Sequence, residues 1–190
     1  MKLDRVIPFA HQLLEKAISA GDIAIDATMG NGHDTVFLAN LVGKKGKVFS
    51  FDIQEAALLA TKDKLINQAL QEAASLHLCG HEHIMNVIPS QYHGKVTGAV
   101  FNLGYLPGGD KSIVTKAETT IAAIEQLLQI LSKEGIIVLV IYHGHPEGTI
   151  ERDKLITYVE NINQQEAHVL RYQFINGINN PPFIIAIEKR

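Results

Sequence analysis

The sequence predicts a doubly wound α/β domain on a mostly parallel sheet, and three observations carry that prediction. Short apolar runs alternate with helix-length amphipathic segments over residues 23–163, the pattern of consecutive strand–helix units. The run 136–142 is almost continuously apolar, as expected of a strand covered on both faces. At the end, the strand-like runs 168–175 and 183–188 are joined only by 176–182, too short for a crossover helix, so they form an antiparallel hairpin. The expected sheet has seven strands, one of them reversed near an edge.

Each element follows from local pattern. Residues 4–20 read as a helix interrupted near its start by Pro8, with Leu13, Leu14, Ala17 and Ile18 on one face. Gly21-Asp22 ends it, and 23–27 is the first strand. A helix over 33–42, a loop over 43–46 and a strand over 47–53 follow. The helix 55–72 is expected to bury Leu58, Leu59, Leu65, Ile66 and Leu70. Then come a strand at 75–79, a short helix at 82–88 and a strand at 96–103. The helix 115–132 carries Ile121, Ile124, Leu128 and Leu131 inward; after the strand 136–142, the helix 147–163 does the same with Leu155, Val159 and Ile162. No repeat, linker or composition shift divides the chain, so residues 1–190 form one domain.

Composition narrows the function classes. Apolar content of 46% and charged content of 19% are ordinary for a globular protein. The single cysteine, Cys79, excludes an intramolecular disulfide and agrees with a reducing compartment. No signal-peptide core and no apolar run of membrane-spanning length is found, so a soluble, cytoplasmic protein without membrane contact is expected. A net charge of −3 lacks the global basic footprint of many nucleic-acid binders. A local patch or a groove between two copies would have to supply a positive field.

The most informative stretch is Asp26-Ala27-Thr28-Met29-Gly30-Asn31-Gly32-His33-Asp34-Thr35, set between an apolar strand and a helix. Strand, glycine turn and helix together are the context a nucleotide-binding loop requires. The spacing D-x-x-x-G-x-G differs from the G-x-G-x-x-G of NAD-dependent enzymes, and no Lys-Ser/Thr pair follows as in a P-loop. Gly30 and Gly32 permit positive φ and close approach of a ligand. Asp26 offers an acceptor suited to a cationic amino group rather than a pyrophosphate. The implied ligand is S-adenosylmethionine. Asn31, His33, Asp34 and Thr35 would hold its carboxylate at the helix N-terminus; alternatively Asp34 or Thr35 caps that helix.

Ligands of open α/β sheets lie beyond the carboxyl ends of the strands, so the other strand ends supply further candidates. Asp52, twenty positions after Gly32, and Gln54 suit the ribose hydroxyls, Asp52 alternatively being a helix cap. Gly80, His81 and Glu82 are candidates for the adenine. His81-Glu82-His83 lacks the spacing of a zinc helix, and no metal is expected. Cys79 reads as a small buried filler. Asn102-Leu103-Gly104-Tyr105 partly matches the D/N-P-P-Y/F tetrapeptide of amino-group methyltransferases: Asn102 and Tyr105 fit the outer positions, while Leu103 and Gly104 replace the prolines. Gly108-Gly109 suggests a mobile loop over the substrate. Tyr142 and His143 close the set, His143 as a proton acceptor or substrate-positioning residue.

These strings, DATMGNGHDT, FDIQ at 51–54, NLGYLPGGDK at 102–111 and YHGH at 142–145, resemble a family of small bacterial class I methyltransferases labelled rRNA methylases, across essentially the whole chain. The resemblance implies a Rossmann-like sheet in the order 3-2-1-4-5-7-6 with helices on both faces. It also implies MnmM-type activity, in which S-adenosylmethionine methylates the 5-aminomethyl group of 5-aminomethyl-2-thiouridine at the tRNA wobble position. The partners would then be a tRNA anticodon stem-loop and a second copy of the chain. Competing readings are an rRNA or small-molecule N- or O-methyltransferase, and a non-catalytic RNA-binding module on the same fold.

Overall fold

The computed structural model describes residues 2–110, 112–144 and 146–190; Lys111 and His145, each at the end of a matching string, lie outside the described residues. The element order is α1 (Val6–Ala17), β1 (Ile23–Asp26), α2 (His33–Val42), β2 (Lys47–Asp52), α3 (Glu55–Asn67), β3 (Ala74–Leu78), α4 (Ile84–Val87), β4 (Val96–Leu103), α5 (Ala117–Ile130), β5 (Leu131–Ile141), α6 (Pro146–Glu160), β6 (Ala167–Tyr172) and β7 (Phe183–Lys189). One seven-stranded sheet runs β3-β2-β1-β4-β5-β7-β6, the predicted order. Only β7 is reversed; it pairs antiparallel with both β5 and β6.

Strand alternation builds the two-sided core. Ile137, Leu139 and Ile141 of β5, with Phe183, Ile185 and Ile187 of β7, pack with Ile124 and Leu127 of α5 and Leu155 of α6. Their neighbours Ile136, Val138, Val140, Ile184 and Ala186 face the other layer, where Leu14 of α1 and Leu38 and Val42 of α2 lie. Period two along each strand therefore feeds both layers from one continuous apolar run. Truncating a side chain such as Phe101, fully buried at the sheet centre, would cost about 3–5 kcal/mol.

Three helical expectations are corrected. Pro8 does not interrupt α1: it sits in the first turn, where its missing N–H has no intrahelical partner to lose. The helix expected over 55–72 ends at Asn67, and Ala69 takes positive φ (54°) before β3. Its buried face is Ala57, Thr61 and Leu65, whereas Leu59 and Ile66 are exposed. The reason is proximity: a Cβ placed on Gly32 would lie 2.7 Å from Thr61 Oγ1, so α3 approaches the glycine loop too closely for a leucine stripe. No helix among the described residues is long and apolar enough to cross a membrane.

Candidate active site

The sheet order changes direction between β1 and β4, and the carboxyl ends of these strands open onto a cavity of about 890 Å³. Such a crevice is where doubly wound sheets bind ligands, and its volume admits a nucleoside-sized cofactor with space beside it.

The glycine loop forms the floor. Gly30 and Gly32 have φ of 47° and 78°, and Gly32 is the left-handed N-cap of α2. No side chain caps this helix, which removes the capping alternative for Asp34 and Thr35. The first-turn N–H groups remain available to an anion. Gly30 N–H donates to Asp52 Oδ2 (3.0 Å), and Thr61 Oγ1 donates to the Gly30 carbonyl (3.2 Å), so β2 and α3 fix the loop from opposite sides.

Asp26 is the main departure from the expected site. It is 0% exposed and does not line the cavity, and buried Gly32 and Thr35 do not line it either. Asp26 Oδ1 accepts from Thr28 N–H (3.2 Å), while Oδ2 lies 2.6 Å from Thr35 Oγ1, itself 3.0 Å from Ser50 Oγ. Burial, with the nearby Asp34 charge, pushes the Asp26 carboxyl up to about 7. Asp26 thus supports the loop from behind.

The remaining predicted residues converge on the cavity. Gly30, Asn31, His33, Asp34, Asp52, Gln54, Gly80, His81, Glu82, Asn102, Tyr105, Tyr142 and His143 all line it. Asp52 Oδ1 also accepts from Gln54 N–H (2.9 Å), a turn that leaves further lone pairs on both oxygens; the N-cap of α3 is Gln54, not Asp52. His81 is 7% exposed and its Nδ1 lies 3.0 Å from the Ala27 carbonyl. Burial, only partly opposed by that carbonyl, holds His81 below the usual imidazole range. Cys79 is half-buried against the core at the edge of the same loop.

The opposite wall carries Asn102 at the end of β4. Its backbone N–H donates to Thr28 Oγ1 (2.7 Å), and its side-chain Nδ2 donates to Asp34 Oδ2. The other Asp34 oxygen is 2.7 Å from His11 Nε2. The next residues are fixed by Thr115, whose Oγ1 accepts from Gly104 N–H (2.9 Å) and donates to buried Glu151 (2.7 Å). Tyr105 and Tyr142 stand at the mouth, 41% and 40% exposed. Partial burial, then the Asp34 charge, raises the Tyr142 hydroxyl. His143 is buried edge-on to Phe183 (5.3 Å), and its Nδ1 has no hydrogen-bond partner among the described residues. Desolvation, with the Arg152 and Arg171 charges, lowers its affinity for a proton despite the Ile141 carbonyl.

Sequence reading missed Ile7 and His11 of α1, Lys116 and Thr119 before and within α5, and Asn180 of the β6–β7 connection, all of which line the cavity. Nothing local marks α1 as part of the site. Among the described lining residues, Asp34, Asp52 and Glu82 face the single ammonium of Lys116, a balance that favours a cationic ligand.

A family model described as "Putative rRNA methylase" matches residues 48–188. The chain belongs to this family. It is 34% identical over 188 residues to an Arabidopsis thaliana protein named "tRNA (mnm(5)s(2)U34)-methyltransferase, chloroplastic", covering 95% of this chain and 68% of the relative. Among solved structures, an rRNA-methylase so described, from Clostridium thermocellum, is 39% identical with a TM-score of 0.96 over 100% of both chains. A methyltransferase from Streptococcus mutans, solved in complex with SAH, is 39% identical with a TM-score of 0.89, covering 99% of each chain. The chain is therefore a class I, S-adenosylmethionine-dependent methyltransferase.

The residues present fit that cofactor. The glycine loop leaves backbone N–H groups at a helix N-terminus, Asp52 keeps free lone pairs, and the acidic lining complements a sulfonium. His81 Nε2, buried and without a partner among the described residues, adds an acceptor on the Gly80–Glu82 side.

Proposed function

We propose that this methyltransferase acts on the primary amine of 5-aminomethyl-2-thiouridine at the tRNA wobble position, yielding the 5-methylaminomethyl form. The observation that carries the reading is the wall formed by Asn102, Gly104, Tyr105, Tyr142 and His143, which lines the same cavity as the glycine loop. The name of the Arabidopsis relative supports the same nucleoside.

In this reading Gly30, Asn31, His33 and the start of α2 hold the amino-acid portion of the cofactor. Asp52 and Gln54 hold its ribose, and the segment from Gly80 to Glu82 its adenine. Bound S-adenosylmethionine supplies a methyl group made electrophilic by its sulfonium. Asn102 Oδ1 and the Gly104 carbonyl accept N–H bonds from the substrate amine and so aim its lone pair. On taking the methyl group the amine nitrogen would become cationic, and His143, whose proton affinity burial lowers, or water would take the released proton. Most of the acceleration comes from this orientation. Tyr105 and Tyr142 offer aromatic faces to a base unstacked from the anticodon loop. Pairing of two copies would widen an RNA surface that a chain of net charge −3 presents weakly.

The test is incubation of the protein and S-adenosylmethionine with total RNA from a strain lacking it, followed by nucleoside mass spectrometry. Loss of 5-aminomethyl-2-thiouridine with gain of its N-methyl form is expected. The family description favours rRNA as the second reading; a new methylated nucleoside confined to rRNA would replace the first with it.

A further inference from the structure

The N-terminal helix supplies a residue that nothing in the glycine loop or the strand ends announces. His11 stacks on Phe37 of α2, with ring centroids 3.8 Å apart and planes 10° from parallel, and its Nε2 lies 2.7 Å from Asp34 Oδ1. Phe37 and Asp34 are three residues apart on α2 and so share the face that receives the imidazole. Asp34 Oδ2 accepts from Asn102 Nδ2. His11, Asp34 and Asn102 all line the cavity.

The donor and acceptor chemistry of this chain has one consistent solution. An ionised carboxylate only accepts. Its two partners must therefore both present N–H groups: His11 its Nε2–H, Asn102 its Nδ2–H. The Asn102 amide then cannot rotate by half a turn without setting its carbonyl against a carboxylate oxygen. Among the described residues its Oδ1 is left as the free acceptor, the polarity needed to receive an N–H. The backbone of the same residue is fixed independently by its bond to Thr28 Oγ1 (2.7 Å).

We propose that His11 is a positioning residue for methyl transfer: by holding Asp34, it fixes the Asn102 amide with its carbonyl acceptor available to the nucleophile. This rests on the reading of Asn102 as the amine-orienting residue. It assigns Asp34, expected from the sequence to bind the cofactor's carboxylate, to the nucleophile side of the cavity. His11 itself touches neither reacting atom and carries no proton of the reaction.

Three variants and two readouts test it. Asp34→Asn is nearly isosteric, but its amide can donate to Asn102 Oδ1 and stabilise the inverted orientation. His11→Ala removes the clamp, and His11→Gln restores an N–H donor toward Asp34 without the aromatic stack. Side-chain amide resonances of cofactor-free protein, with Asn102 assigned from Asn102→Ala, report amide geometry without any turnover. Methyl transfer to total RNA, with cofactor affinity measured separately, reports the consequence. Asp34→Asn and His11→Ala should both displace the Asn102 resonance. Turnover should fall about 100-fold in the first and about tenfold in the second, on the scale of a misoriented reacting group. His11→Gln should recover most of the His11→Ala loss, and cofactor affinity should stay within about twofold in both His11 variants.

An unmoved Asn102 resonance in His11→Ala overturns the proposal, whatever happens to turnover. So does a displaced resonance with unchanged turnover, or a loss of turnover in His11→Ala that follows lost cofactor affinity. If wild-type protein methylates rRNA instead of tRNA, the substrate reading fails while the predicted variant pattern on rRNA still supports His11.

Discussion

The buried Asp26 leads to a quantitative prediction about stability. Its carboxyl is 0% exposed and is pushed up to about 7 by burial and by Asp34, from an ordinary 3.8. A carboxyl whose folded pKa exceeds its unfolded value keeps its proton in the fold after the unfolded chain has released it. Stability therefore falls as pH rises from about 4 to about 7 and levels off above that. Asp26→Asn mimics the protonated form: Oδ1 can still accept from Thr28 N–H, and the amide can donate to Thr35 Oγ1, which passes its own proton to Ser50. At about 1.4 kcal/mol per pH unit, the stability of wild type relative to Asp26→Asn should drop by about 2–3 kcal/mol between about pH 5 and pH 8. Urea unfolding of both cofactor-free proteins at the two pH values measures it, provided their m-values agree. Histidines titrating in the same interval cancel in the comparison. A change below about 0.5 kcal/mol, or one of opposite sign, would refute the assignment of a protonated Asp26 behind the loop.

Two further substitutions address the cofactor side. Gly32→Ala would place a Cβ 2.7 Å from Thr61 Oγ1 and 2.9 Å from Thr61 Cα at a φ of 78°. It should destabilise the protein by about 1–3 kcal/mol and weaken cofactor binding, read by thermal melts and calorimetric titration. Asp52→Ala removes the acceptor of both Gly30 and Gln54 N–H groups, so cofactor affinity should fall at least about tenfold, equivalent to about 1.4 kcal/mol, with the fold retained.

Much of this architecture was legible because short-range rules govern it. Alternation of apolar runs with amphipathic segments located all seven strands, and the segment over 176–182 dictated the reversed β7. Strand ends carry polar residues for a functional reason, which brought Asp52, Asn102, Tyr142 and His143 into view together. The misses share a physical origin in distance along the chain. Spacing cannot reveal which way an acid at a strand end points, and Asp26 turns inward to Thr28 and Thr35. Thr61 lies close against Gly32 on the buried face of α3, a contact that the apolar pattern of α3 does not announce. His11 meets Asp34 across 23 positions of sequence; a lone histidine on a helix gives no hint that it completes a site.

In the proposed reaction the transferred methyl resides on an exocyclic amine of one tRNA nucleoside. S-adenosylmethionine carrying a trideuterated methyl group, supplied with tRNA bearing 5-aminomethyl-2-thiouridine, allows that atom to be located by tandem mass spectrometry. The label is expected on the side-chain nitrogen, released together with the aminomethyl fragment. Label on the base ring, on the ribose, or on a nucleoside other than the wobble uridine would contradict it.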